Sequence, residues 1–132
     1  MRALLDTHVW LWTRTDPDRI GPLTRRMLED AGTDLYLSAV SVLELALKGP
    51  RLGLRLPEPI DIFVASGVRT YRLIELAVTH EHARFVSRLP TSTGDPFDRL
   101  LVAQARCESI SLLTVDRELL RSAPDWTMDA RR

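Results

Sequence analysis

The sequence predicts an α/β fold, a mostly parallel central sheet flanked by helices in an α/β/α sandwich, and three observations predict it. Brief runs that are apolar on both faces recur at Arg2–Leu5, 35–37 and Ser111–Thr114, as buried parallel strands do. Segments with helical apolar spacing alternate with them. Acids follow two of the runs, Asp6 at once and Asp116 after Val115, where open parallel sheets gather their ligand sites.

Taken in order, the first run ends at Asp6 and passes into a helix start at Val9-Trp10-Leu11-Trp12. Residues 22–31 carry Leu23, Met27 and Leu28 on one helical side, 35–37 form a strand, and 42–48 form a helix stopped by Gly49-Pro50. Pro50, Gly53, Pro57 and Pro59 make 51–59 a loop before a helix that begins near Ile60. A strand over 71–76, a helix over 79–89, a stronger helix over Pro96–Glu108 and a last strand at 127–128 complete the pattern. With no internal repeat, residues 1–132 are expected to form one domain.

Composition narrows the function. In 132 residues, 45% hydrophobic and 27% charged, the chain has the make-up of a folded globular protein. No apolar run nears the ~20 residues a membrane helix needs, and Asp6 interrupts the N-terminal run too early for a signal peptide, so a cytoplasmic protein without membrane attachment is expected. Cys107 is the single cysteine, which excludes an intrachain disulfide and a cysteine-built zinc site. Eighteen basic residues balance eighteen acidic ones, so net charge gives no general affinity for nucleic acid. Every basic residue but Lys48 is an arginine, and none form a block. Phosphate loops, serine elbows and dinucleotide fingerprints are absent, which removes NTPase, serine hydrolase and dehydrogenase functions.

Four carboxylates then stand out. Asp6 and Asp116 each follow an apolar strand and precede a helix, where each can serve as an N-cap. Glu44 lies within Val42-Leu43-Glu44-Leu45-Ala46-Leu47, with little solvated face left to it; Ser41 three residues earlier offers a capping box as the alternative. Asp95-Pro96-Phe97-Asp98 has two acids where a helix start needs one: Asp95 caps, and Asp98 is free to face a site. Each acid alone is explained by capping. Four of them at strand exits and helix entries, in a fold that collects such ends on one edge, are not.

Carboxylates held together repel by about 4 kcal/mol per close pair at an effective dielectric near 20, so the cluster calls for protons or a cation. All-oxygen ligation favours a hard ion, Mg²⁺ or Mn²⁺. Such ions activate water for in-line attack on a phosphodiester and offset the charge that grows there, with one ion or two. Thr7 and Thr114 adjoin the acids and are placed to hydrogen-bond a carboxylate or water.

These motifs together resemble the PIN-domain toxins of the VapC kind, from bacterial and archaeal toxin–antitoxin pairs, over nearly the whole chain. Leu4-Leu5-Asp6-Thr7-His8-Val9 is similar to the family's opening strand and first acid, and Ser41 through Lys48 to its second. The run from Asp95 through Ala105 is the most specific match, and Leu113-Thr114-Val115-Asp116-Arg117 supplies the last acid. The resemblance implies a PIN fold, a Mg²⁺- or Mn²⁺-dependent endoribonuclease acting on RNA, and Asp6, Glu44, Asp98 and Asp116 as both metal ligands and catalytic acids. Asp95 and Arg99 come with the motif in less defined roles. It also implies a homodimer and a cognate antitoxin whose tail enters the groove. The chain departs from the family in having Ser92-Thr93-Gly94 where a histidine commonly stands, and Leu43 where an aromatic often does.

Other residues are expected to be structural. His80 and His82 are two apart, which puts them on different helical faces and suits surface or capping roles; His8 is expected to bond locally. Trp10 and Trp12 are assigned to the core or an interface. Two other functions compete: a non-catalytic PIN-like module acting through complex formation, and an aspartyl-phosphate enzyme of the haloacid-dehalogenase or receiver kind. The phosphatase version wants a second aspartate two residues after Asp6, where His8 stands.

Overall fold

The computed structural model describes residues 1–49, 51, 56–90 and 95–132. Five strands, Arg2–Leu5 (β1), Asp34–Ser38 (β2), Ile74–Leu76 (β3), Ser111–Thr114 (β4) and Thr127–Asp129 (β5), form one parallel sheet in the order β3-β2-β1-β4-β5. Leu4 pairs with Tyr36 on one side and Leu112 on the other, which makes β1 the central strand. The fold class expected from the alternating pattern is the one observed.

Period-two alternation sorts the strand side chains between two cores. Leu5, Leu35, Leu37 and Leu113 face one layer, with Thr7–Thr15 (α1), Pro22–Glu29 (α2) and Ile60–Tyr71 (α4) supplying Val9, Trp10, Met27, Leu28 and Phe63. Leu4 and Leu112 face the other, against Leu101, Val102 and Ala105 of Pro96–Glu108 (α6) and Leu119 of Arg117–Ser122 (α7). Each fully buried leucine contributes about 1.5–3 kcal/mol. Trp10 is wholly buried and meets Phe63 edge-on, ring centroids 5.5 Å apart, so it belongs to the core. Trp12 is only partly buried, with the Arg19 guanidinium 4.6 Å from its ring.

Several boundaries differ from the sequence expectation. The helix expected over 42–48 is Ala39–Lys48 (α3), because the Ser38 hydroxyl accepts the Val40 amide and caps it three residues earlier. The helix expected over 22–31 stops at Glu29, where Asp30 turns its carboxylate to the Gly32 amide and Thr33 hydroxyl and so competes with further helix. Residues 71–76 divide between the last residue of α4, a left-handed Arg72 (φ 52°), and the short β3. The helix expected over 79–89 is His80–Phe85 (α5), followed by a 3₁₀ turn at Val86–Arg88. Part of the loop expected over 51–59, and Ser92-Thr93-Gly94, lie outside the described residues.

The chain steps outward from β1 to β2 and β3, then returns to lay β4 on the free side of β1. Strand order therefore reverses between β1 and β4, and the carboxyl ends of those two strands lead to Asp6 and Asp116.

Candidate active site

Asp6 extends the sheet by one residue, its amide donating to the Leu113 carbonyl at 2.9 Å, and then caps α1. Its side chain is buried, with Oδ1 accepting the Thr7 amide at 2.7 Å and Oδ2 accepting the Thr114 hydroxyl at 2.6 Å. The same Thr114 oxygen accepts the Asp116 amide at 3.0 Å, so one buried hydroxyl ties the two strand-end acids together. Asp116 caps α7, with Oδ1 accepting the amides of Glu118 at 2.8 Å and Leu119 at 3.2 Å.

Glu44 reaches the same place from α3 and is 6% exposed. Since Ser38 is the cap, Ser41 lies inside the helix, and the Ser41–Glu44 capping box does not form. Ser41 instead accepts the Thr7 hydroxyl at 2.9 Å, fixing the start of α1 against the turn of α3 that precedes Glu44. Thr7 thus contacts the Asp6 carboxylate through its backbone amide, while its hydroxyl joins two helices.

At α6 the division of labour between the two acids is as the sequence suggests. Asp95 caps the helix, its Oδ1 accepting the Asp98 amide at 2.9 Å with Pro96 at the first position, and Asp98 stands in the first turn. Arg99 turns elsewhere: its Nη2 donates to the Val86 carbonyl at 3.2 Å, and it does not line the acidic cleft. That cleft, about 370 Å³, is lined by Asp6, His8, Glu44, Lys48, Asp95, Asp98, Val115 and Asp116.

The acids feel one another. Burial, then the charges of Asp6, Asp95, Asp116 and Glu44, push the Asp98 carboxyl up to about 7. Burial also raises Asp6, against the opposing hydrogen bonds from Thr114 and Thr7. Asp95 goes the other way: burial works to raise it, but the Asp98 amide and the Lys48 ammonium outweigh that and hold it below the ordinary range. Lys48, at the last turn of α3, donates to Glu44 Oε2 and Asp95 Oδ2, both at 3.1 Å, and stands 4.5 Å from the Phe97 ring centre. The sequence reading passed over Lys48, although its spacing four residues after Glu44 was a usable signal.

The donor chemistry suits a hard divalent cation: among the described residues the cleft offers several carboxylates and no sulfur, and Lys48 offsets part of their charge. Among the described residues no group of three or more His, Cys, Asp or Glu side chains is poised to hold a metal ion as it stands. Oxygens of Glu44, Asp6 and Asp116 are committed to Lys48, Thr114 and the α7 amides.

The remaining histidines are placed by packing. His82 is buried and completes a capping box with Thr79, its Nδ1 accepting the Thr79 amide at 3.1 Å while Nε2 pairs with Glu108 at 2.7 Å. Both expected roles are found, capping by His82 and a surface position for His80.

Comparison with known proteins gives a consistent result. A family model described as PIN domain matches residues 3–124. Ribonuclease VapC22 of Mycobacterium tuberculosis (strain ATCC 25618 / H37Rv) is 33% identical over 121 residues, 89% of this chain and 88% of the relative. Among solved structures, VapBC2 from Rickettsia felis bound to a DNA fragment from their promoter is similar with a TM-score of 0.70 at 14% identity, covering 97% of this chain and 98% of that one. FitAcB from Neisseria gonorrhoeae gives 0.64 at 21% identity, with 97% of each chain covered. At these identities the structural matches bear on the fold alone.

Proposed function

The chain belongs to the PIN domain family, and on that premise we propose that it is a Mg²⁺- or Mn²⁺-dependent endoribonuclease, the toxin of a toxin–antitoxin pair. The observation that carries this is the meeting of Asp6, Glu44, Asp98 and Asp116 in one cleft at the strand-order reversal, where burial and then the neighbouring charges lift Asp98 to about 7. The name of the curated relative, a ribonuclease, supports the substrate class.

In this reading Asp6, Glu44, Asp98 and Asp116 hold the ion. When bound, the ion supplies activation of water and neutralisation of charge on the phosphate. The rest is done by the chain. Thr114 holds Asp6 and Asp116 at a fixed separation, the Thr7–Ser41 bond sets the turn carrying Glu44, and Asp95 orients the first turn of α6 so that Asp98 faces the cleft. Purified protein should cleave RNA with Mg²⁺ or Mn²⁺, stop on adding EDTA, and lose at least ~100-fold in rate on Asp6→Asn. A wild-type rate from that variant would sink the proposal.

An antitoxin partner fits the solved structures named VapBC and FitAcB, and it accounts for surface the nuclease chemistry leaves unexplained. Leu37, Val42, Leu43, Ala46, Val64 and Leu76 line an apolar groove between α3 and α4, with Leu43 and Leu47 more than half exposed. Co-expression with a neighbouring antitoxin gene should yield one complex that Leu43→Arg disrupts. Light scattering of the free protein tests the expected homodimer.

A further inference from the structure

We propose that Lys48 is a built-in stand-in for the metal: its ammonium occupies the acidic cleft of the metal-free protein and must give up Glu44 before a divalent ion can be held there. The inference rests on the metal-site reading above and adds a competitor to it.

Lys48 is the only lysine of the chain, and among the described residues it shares the cleft with acids, His8 and Val115 and no other lysine or arginine. Its Nζ bridges Glu44 Oε2 on its own helix and Asp95 Oδ2 at the start of α6, 3.1 Å from each. It therefore links α3 to the start of α6 across the cleft, and it engages an oxygen of Glu44, a carboxylate only 6% exposed.

The residue type matters. A lysine ammonium is a compact, strongly hydrated point charge on a flexible stem, and its side chain here is one-third exposed, so it can swing out to water. An arginine would grip the carboxylates through a planar two-pronged fork and be harder to displace. Phe97 offers the ammonium an aromatic face 4.5 Å away, a contact it can keep when the carboxylates are taken from it.

The test is Mn²⁺ binding to the whole protein without RNA, by calorimetry and by the electron paramagnetic resonance of free Mn²⁺. Lys48→Met and Lys48→Gln should each bind Mn²⁺ about tenfold tighter, because each removes a unit positive charge that competes for the same carboxylates. Lys48→Arg should bind no tighter than wild type. A merely structural role predicts the opposite sign, because a loosened site binds metal more weakly. Unchanged or weaker binding by both neutral variants overturns the proposal while leaving the metal site intact. A wild type that binds no Mn²⁺ overturns the metal-site reading itself, and the stand-in role with it.

Discussion

The Thr114 hydroxyl donates to Asp6 Oδ2 at 2.6 Å and accepts the Asp116 amide at 3.0 Å, so a single oxygen between β4 and β1 sets the spacing of the two acids that end those strands. Thr114→Val keeps the shape and removes the oxygen. A buried carboxylate then loses its hydroxyl donor, and the part-buried Asp116 amide loses its acceptor. We expect a loss of about 1–3 kcal/mol in urea unfolding and a fall of about 10–100-fold in RNA cleavage. Thr114→Ser should recover most of both. Full activity in the valine variant would show that the hydroxyl positions nothing.

Asp98 makes stability depend on pH with a definite sign. Its folded value near 7 lies above its ordinary 3.8, so the folded protein binds this proton more tightly than the unfolded chain does. Its stabilising contribution is complete below about pH 4, declines as pH rises toward 7, and above that remains as a constant penalty. Asp98→Asn should therefore stabilise the metal-free protein at about pH 8, by about 1–2 kcal/mol once solvent screening of the partly exposed group is allowed for, and leave it unchanged near pH 4. Urea midpoints in EDTA at the two pH values check this. An equal gain at both would point to packing and not to charge.

The strands were legible because a parallel strand buried on both faces must be a short apolar run, and Leu4-Leu5 and Leu112-Leu113 can be little else. The acids were legible as candidates because they punctuate those runs. Helix starts were less so: Ser38 and Ser41 are equally good caps on paper, and it is the pairing of β2 with β3, which sets Ser38 opposite Leu76, that makes Ser38 end the strand and take the cap. Arg99 shows the reverse limit, since its place in a specific motif drew it toward the site while its side chain reaches the turn after α5. For Lys48 the link to Glu44 was legible in the four-residue spacing, whereas its contact with Asp95 joins positions 47 apart and only the fold brings them together.

His82 offers a control for activity. Its Nδ1 accepts the Thr79 amide and its Nε2 faces Glu108, so both ring nitrogens are engaged by structure and neither is available to the cleft. His82→Leu should cost about 1–3 kcal/mol by stranding the Thr79 amide and the Glu108 contact. Cleavage measured below the melting transition should stay within about twofold of wild type, a difference of under 0.5 kcal/mol in barrier. A loss of rate without a loss of stability would mean the ring takes part in the reaction.

Arg99 separates motif membership from chemistry. Its guanidinium donates to the Val86 carbonyl at 3.2 Å and pins the 3₁₀ turn after α5 to α6, one residue beyond Asp98 on the helix. Because Arg99 bonds to Val86 and does not line the acidic cleft, Arg99→Met should retain the packing of the stem, lose about 1 kcal/mol from the broken hydrogen bond, and bind Mn²⁺ as wild type does. Asp98→Asn should do the converse, weakening Mn²⁺ binding while the fold holds. Thermal melts with and without Mn²⁺ read both effects in one experiment: Arg99→Met lowers the two melting temperatures by the same amount, and Asp98→Asn shrinks the gap between them. If Arg99→Met shrank the gap as well, the guanidinium would have to be counted among the groups that shape the metal site.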